Sequence, residues 1–160
     1  MDQKPTLILA DDHGLFRQGI KSILVQQNIA NVIGEASNGI ELIELLSHGK
    51  PDLVIMDIDM PQMNGIEATQ KALAIFPDLK IIVYTMFGDK EYYQKMSELG
   101  VKAFMLKSKG IQELGKVIQD VMMGKDALSK LPPRRIRNSS FGADRMEIPP
   151  KPNEEESKAN

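Results

Sequence analysis

Residues 54 to 65 read VIMDIDMPQMNG, and this stretch decides both the fold class and the candidate site. An apolar run ends at Met56, Asp57 follows it, and Asp59 comes just before Pro61. Short apolar runs bounded by turn residues are typical of strands buried on both faces of a parallel sheet. The stretch therefore predicts a core strand that delivers a carboxylate to its own tip. We expect Pro61 and Gly65 to shape the next loop, Gly65 by admitting backbone conformations closed to other residues.

The composition supports one compact domain and excludes several classes of function. The chain has 160 residues, 42% of them apolar and 26% charged, which is enough for one sizeable core. Its net charge of −2 gives no basic field for nucleic acid, and its lack of cysteine excludes disulfides, zinc thiolates and cysteine nucleophiles. No apolar run is long enough for a signal peptide or a membrane span. We expect a cytoplasmic protein without membrane contact.

Outward from residues 54 to 65, short apolar runs alternate with segments of helical period. The predicted strands are Thr6 to Ala10, Asn31 to Ala36, Asp52 to Asp57, Lys80 to Thr85 and Lys102 to Leu106. The predicted helices are Gly14 to Asn28, Gly39 to Ser47, Gly65 to Phe76, Lys90 to Leu99 and Ile111 to Met123. Right-handed crossovers between such units favour an α/β fold, a doubly wound five-stranded parallel sheet with helices on both faces.

The domain is expected to span residues 1–128, because the composition and the apolar periodicity of the chain change from about Ser129. Five of the nine prolines lie in the last thirty residues, which mix both charges without periodicity. Residues 129–160 are therefore predicted to be a linker or disordered tail. They lack the two periodic helices of a helix-turn-helix, so we expect no nucleic-acid binding by this chain itself.

Polar residues follow the predicted strands at one edge of the sheet. Asp11 and Asp12 follow the first strand, Asp57 ends the third, Thr85 ends the fourth and Lys107 follows the fifth. Because ligands of such sheets bind beyond the carboxyl ends of the strands, these residues form the candidate site. Carboxylates about 4 Å apart repel by about 4 kcal/mol at an effective dielectric constant near 20 unless protons or a metal intervene. Oxygen ligands without thiolates favour a hard divalent ion such as Mg²⁺.

A phosphoryl group is the anion that this set of side chains suits. The Lys107 ammonium can pair with one phosphoryl oxygen and the Thr85 hydroxyl can donate to another. Asp57 is the best candidate nucleophile, because the central apolar strand fixes its backbone. We interpret His13 as the start of the first helix rather than as a metal ligand.

The sequences LADD (9–12), MDIDMPQMNG (56–65), YTM (84–86) and AFMLK (103–107) together resemble the receiver domain of two-component response regulators. The resemblance implies a flavodoxin-like fold with strand order 2-1-3-4-5. It implies that a sensor histidine kinase or phosphotransfer protein phosphorylates Asp57, and that phosphorylation can produce a homodimer. It also implies a Mg²⁺ site made by Asp11, Asp12, Asp57 and the backbone carbonyl of Asp59. Thr85 and Phe104 would be the switch pair, with Phe104 where many relatives carry tyrosine.

The stretch DDHGLFRQGI (11–20) and residues 84–114 look most like the NarL/FixJ-type subgroup, whose receivers usually precede a LuxR-type helix-turn-helix. Two explanations of the missing module stay open: a fragment of a longer transcriptional regulator, or a stand-alone receiver. The resemblance places kinase specificity around Leu15, Phe16 and the loop after Lys107.

Two other functions remain as alternatives. A degenerate receiver would act only as a protein-binding module. The presence of all five residues used in phosphorylation argues against it; these are Asp11, Asp12, Asp57, Thr85 and Lys107. The spacing of Asp57 and Asp59 also resembles haloacid-dehalogenase-like phosphatases, but in those enzymes the nucleophile ends the first strand and the paired acids come late. We therefore expect a signalling domain rather than an enzyme.

Overall fold

In the computed structural model, which describes residues 3–125 and 127–128, five strands alternate with five helices. The strands are β1 (Thr6–Ala10), β2 (Asn31–Ala36), β3 (Leu53–Met56), β4 (Lys80–Thr85) and β5 (Ala103–Leu106). The helices are α1 (Gly14–Gln26), α2 (Gly39–Leu46), α3 (Gly65–Ile75), α4 (Lys90–Leu99) and α5 (Ile111–Met122). Each end lies within two residues of its prediction. The predicted linker or tail, 129–160, lies outside the described residues.

The five strands form one parallel sheet in the order β2-β1-β3-β4-β5, which confirms the predicted doubly wound fold and its strand order. The register aligns Ala10 with Met56, Met56 with Val83, and Val83 with Phe104. Asp11 and Asp57, each one residue beyond this row, are therefore neighbours at the carboxyl edge of the sheet. The register thus brings the two strand-end aspartates of the candidate site together.

Helices cover both faces of the sheet, and each face has its own apolar cluster. Cluster A, under α2, α3 and α4, includes Met56, Val83, Met96 and Phe104. Cluster B, under α1 and α5, includes buried Leu9, Ile55, Tyr84 and Ile118. Because successive strand residues point to opposite faces, continuous apolar runs such as Leu53–Met56 supply both clusters.

Side-chain caps and glycines account for where several of the helices begin and end. Asn64 caps α3 by accepting hydrogen bonds from the backbone N–H of Ile66 at 2.9 Å and of Glu67 at 3.0 Å. Gly100 ends α4 with φ of 107°, and Gly124 follows α5 with φ of 83°, in the left-handed region that glycine adopts readily. Helix α1 ends two residues before the predicted Asn28, which has φ of 60°.

None of the described helices combines the length and apolar character that a membrane crossing needs.

Candidate functional site

Backbone hydrogen bonds fix the strand ends that carry the candidate site. The Asp57 N–H donates to the Ala10 carbonyl at 2.9 Å, and the Asp11 N–H donates to the Ala36 carbonyl at 2.9 Å. On the other side, the Lys107 N–H donates to the Thr85 carbonyl at 2.7 Å. The ladder thus continues one residue beyond the regular strands, which holds these functional residues on rigid backbone.

Lys107 is the cation at the centre of the site. Its Nζ lies 2.7 Å from Asp11 Oδ2 and 3.0 Å from Asp57 Oδ2. The three side chains are nearly buried, with 8% of Lys107, 7% of Asp11 and 3% of Asp57 exposed. The ammonium also lies 4.3 Å from the centroid of the Phe16 ring, a cation–π contact that helps to hold it. Lys107, which the sequence predicted to belong to the site, is thus buried between two of its carboxylates.

Asp57 is ionised only at a cost. Burial raises the pKa of its carboxyl, and the negative charge of Asp11 raises it further. The charge of Lys107 and a hydrogen bond from the Thr85 hydroxyl lower this pKa, but the net shift is upward. The folded chain therefore holds a buried carboxylate whose negative charge one lysine compensates only in part.

The acidic group has the composition of a site for a hard cation. Ligand atoms of Asp11, Asp12, His13 and Asp57 all lie within 4.8 Å of one another. Three carboxylates with the one ammonium of Lys107 leave a charge of about −2, which a divalent ion would neutralise, and carboxylate oxygens are the ligands that Mg²⁺ prefers. The half-exposed His13 ring, directly before α1, has Nδ1 3.4 Å from Asp11 Oδ1 and 3.5 Å from Asp12 Oδ1.

The loop between β3 and α3 follows the site and is held by close backbone contacts. The N–H of Asp59 approaches Asp57 Oδ1 at 3.4 Å, and the Gly65 N–H donates to the Ile58 carbonyl at 2.8 Å. A Cβ on Gly65 would lie 2.3 Å from the Asp57 carbonyl oxygen. The expectation that Gly65 supplies an unusual backbone conformation is wrong: the positive φ in this loop, 68°, belongs to Gln62, and Gly65 is needed for space.

Sequence reasoning missed the charged pairs that brace Asp11 from outside. Arg17 Nη1 donates to the Asp11 carbonyl at 2.5 Å, and Arg17 Nε donates to Glu35 at 3.0 Å. Lys21 Nζ lies 3.2 Å from the same Glu35 carboxylate, whose pKa is lowered by the hydrogen bond from Arg17. The signal was present in the sequence as an isolated acid in the otherwise uncharged strand β2.

The predicted switch pair occupies neighbouring strands. Thr85 is fully buried at the end of β4, and its Oγ1 accepts a hydrogen bond from the Phe87 N–H at 3.3 Å. Phe104 is 3% exposed, and its ring lies 5.3 Å from that of Tyr93 on α4. Thr85 thus ends the strand next to β3, while Phe104 packs under α4.

The family model of the response regulator receiver domain matches residues 7–119 of this chain. A curated relative, the uncharacterized transcriptional regulatory protein YhcZ of Bacillus subtilis (strain 168), is 41% identical over 113 residues, which are 71% of this chain and 53% of that protein. The transcriptional regulatory protein DegU of Brevibacillus brevis is 32% identical over 123 residues, 77% of this chain and 52% of that protein. The chain thus spans about half the length of these curated relatives.

Solved structures agree with this match. A LuxR-family two-component response regulator from Aurantimonas sp. SI85-9A1 superposes with a TM-score of 0.75 at 28% identity, covering 79% of this chain and 91% of that one. The signal receiver domain of the putative response regulator NarL from Mycobacterium tuberculosis superposes with a TM-score of 0.72 at 26% identity, covering 78% of this chain and 100% of that one.

Proposed function

The chain belongs to the response regulator receiver family, and from this premise we propose that Asp57 is the phosphoacceptor of a two-component signalling switch. The observation that carries the proposal is the buried Asp57 carboxylate, 3.0 Å from Lys107 and beside Asp11 at the end of a core strand. A nucleophile must be held rigidly and yet be reachable by a donor, and a strand end at the edge of the sheet meets both needs.

The proposed reaction is transfer of a phosphoryl group from a histidine of a sensor kinase or phosphotransfer protein. An Asp57 carboxylate oxygen forms a bond to phosphorus as the bond from phosphorus to the histidine nitrogen breaks, and that nitrogen keeps the electron pair. The product is an acyl phosphate. Lys107 would pair with one phosphoryl oxygen, since it already contacts Asp57, and Thr85, at the end of the neighbouring strand, would donate its hydroxyl to another.

Asp11, Asp12 and Asp57, with the backbone carbonyl of Asp59, would hold Mg²⁺. The excess negative charge of the acidic group supports this assignment. When bound, the ion would neutralise negative charge on the phosphoryl group during transfer. The residues of the chain orient Asp57, keep Lys107 at the phosphoryl position and fix the loop that carries Asp59.

A groove beside the acidic group supports docking of the phosphoryl donor. It encloses about 660 Å³ between Leu15 and Phe16 on one side and Met86, Leu106 and Lys107 on the other. The Leu15 and Met86 residues are 90% and 70% exposed, which is unusual for large apolar side chains so close to a charged site. This apolar rim would contact the helices that present the donor histidine.

The output that we propose is transcriptional control. The names of curated relatives as transcriptional regulators support it, since the chain matches about half of their length. Phosphorylation would shift the Thr85 and Phe104 switch and favour a homodimer, and a LuxR-type DNA-binding domain outside this sequence would read the change.

The test is intact mass after incubation with Mg²⁺ and acetyl phosphate, for the wild-type chain and for Asp57→Asn. We expect one added phosphoryl group that requires Mg²⁺, is released by hydroxylamine and is absent in the variant. Asp59→Asn is the matched control, because it removes a carboxylate from the same loop and should keep the adduct. If neither acetyl phosphate nor a kinase produces an adduct, the proposal fails and a phosphorylation-independent binding module takes its place.

A further inference from the structure

The segment that follows α5 crosses the edge of the sheet. Ala127 is 1% exposed and packs in cluster B, whereas Leu128 packs against cluster A on the opposite face. β5 is the outermost strand on this side of the described sheet, so residues 127 and 128 pass around it. A chain that merely left the domain would not bury consecutive residues in both clusters.

The reversal after α5 has its own hydrogen bonds. Lys125 N–H donates to the Asp120 carbonyl at 2.9 Å, and Gly124 N–H donates to the Val121 carbonyl at 3.0 Å, a turn that the positive φ of Gly124 permits. The Asp120 carboxylate, 7% exposed, lies 3.9 Å from Lys125 Nζ and 3.6 Å from Lys116 Nζ. The direction of the segment is therefore set before it reaches β5.

Tyr93 joins this segment to the switch ring. Its hydroxyl donates a hydrogen bond to the Leu128 carbonyl at 2.6 Å, and its ring lies 5.3 Å from the ring of Phe104 at an angle of 57°. A tyrosine has only two rotatable side-chain bonds, so one ring position must satisfy both contacts. Moving Phe104 away removes the surface that positions Tyr93, and losing the hydroxyl bond frees Leu128.

We propose that the surface made by Tyr93 and Phe104 is a binding site for the chain's own segment at residues 127 and 128, and that its occupancy follows the state of the Asp57 switch. The second half of this proposal rests on the proposed function. In this structure Thr85 is buried at the end of β4, Phe104 is buried and Tyr93 holds Leu128, all at once. Phosphorylation, by drawing Thr85 to the phosphoryl group, favours this engaged arrangement and secures the segment.

The contact is measured by amide hydrogen exchange at Ala127 and Leu128, recorded by NMR on the full chain. Tyr93→Phe removes only the hydroxyl and should speed this exchange about fivefold, the factor expected for one ordinary hydrogen bond. Phe104→Leu should speed it about threefold through the loss of ring packing. The double variant should fall short of the product of the two effects, because both act on one contact.

Tyr84→Phe is the matched control, since the buried Tyr84 hydroxyl has no hydrogen-bond partner among the residues that the structure describes. It should leave exchange at Ala127 and Leu128 unchanged. Exchange that is unchanged in both Tyr93→Phe and Phe104→Leu would overturn the binding site, because neither contact would then hold the segment.

Control by phosphorylation is tested in the same samples after Mg²⁺ and acetyl phosphate, with intact mass reporting the adduct. We expect exchange at Leu128 to slow several-fold in the wild-type chain and to respond less than twofold in Tyr93→Phe. An adduct without a change in exchange would overturn the coupling and leave the proposed function standing. Absence of an adduct from every protein would instead sink the proposed function and the coupling together, and the unphosphorylated variants would decide the binding site.

Discussion

The two ends of strand β3 each carry an aspartate, and the two carboxylates have opposite surroundings. At the amino end, exposed Asp52 accepts hydrogen bonds from the Thr6 N–H at 2.8 Å and from the Thr6 hydroxyl at 3.2 Å. At the carboxyl end, Asp57 is buried beside Asp11, with Lys107 shared between them. Asp52 links the start of β3 to the start of β1 through Thr6, whereas Asp57 is held where its negative charge is only partly compensated.

The difference shows where this fold keeps its chemistry. A satisfied carboxylate such as Asp52 has little to gain from a new partner, while the buried Asp57 carboxylate gains from a cation placed beside it. We therefore expect changes at Asp52 to affect mainly stability and changes at Asp57 to affect mainly function.

Lys107→Met should have the largest effect. It leaves Asp11 and Asp57 facing each other without their cation, and we expect the free energy of unfolding to fall by about 3 kcal/mol. Urea denaturation at neutral pH measures the loss, and uptake of a proton by Asp57 keeps it at the lower end of the range for broken buried pairs.

Lys50→Met is the control for Lys107→Met, because Lys50 pairs with the exposed Asp78 at 2.8 Å near the opposite edge of the sheet. It should change the urea midpoint very little, since exposed ion pairs add little stability. Equal losses in the two variants would contradict the view that burial separates them.

Gly65→Ala should come next, with a loss of about 2 kcal/mol from overpacking. The added Cβ would lie 2.3 Å from the Asp57 carbonyl oxygen and 2.8 Å from the Ile58 Cα, both backbone atoms that cannot yield easily. Gly19→Ala is its control, since a Cβ there meets nothing within 4 Å, and it should raise stability by about 0.8 kcal/mol. A tolerated Gly65→Ala would mean that the loop moves freely against β3.

The sequence predicted the sheet and the set of polar strand ends because both depend on local pattern. Periodicity located every strand within two residues, and parallel register then required Asp11 and Asp57 to be neighbours. What it could not provide depends on distances between segments far apart in the chain. The burial of Lys107 over Phe16, the bracing of Asp11 by Arg17 and the lack of space at Gly65 are contacts of this kind.

Mg²⁺ should stabilise the wild-type chain by about 1.4 kcal/mol at ten times its dissociation constant, because it binds the folded state through carboxylates that are apart in the unfolded chain. The rise in melting temperature with added MgCl₂ measures this effect. Asp57→Asn should lose most of it and Asp52→Asn none. A response that survives Asp57→Asn unchanged would move the metal away from the acidic group.

Asp52→Ala should lower the free energy of unfolding by about 1 kcal/mol, since it removes the acceptor for the Thr6 N–H and hydroxyl. The phosphoryl adduct at Asp57 should form as in the wild-type chain. Urea denaturation and intact mass together check that this aspartate is structural only, and a lost adduct would show that the amino end of β3 positions the carboxyl end.

Asp57→Asn should have the smallest effect on the free energy of unfolding, and at neutral pH it should raise this free energy rather than lower it. Because the pKa of Asp57 is raised in the folded state, the folded chain binds more protons than the unfolded chain between the usual value of 3.8 and the raised one. The contribution of Asp57 to stability is thus intact at low pH and falls as the pH rises through this window. Urea midpoints of wild type and Asp57→Asn should therefore converge below pH 3.8 and separate towards neutral pH, with the variant the more stable. A variant that is less stable at neutral pH would mean that the attraction of Lys107 outweighs burial, and the contrast between the two ends of β3 would then be one of exposure alone.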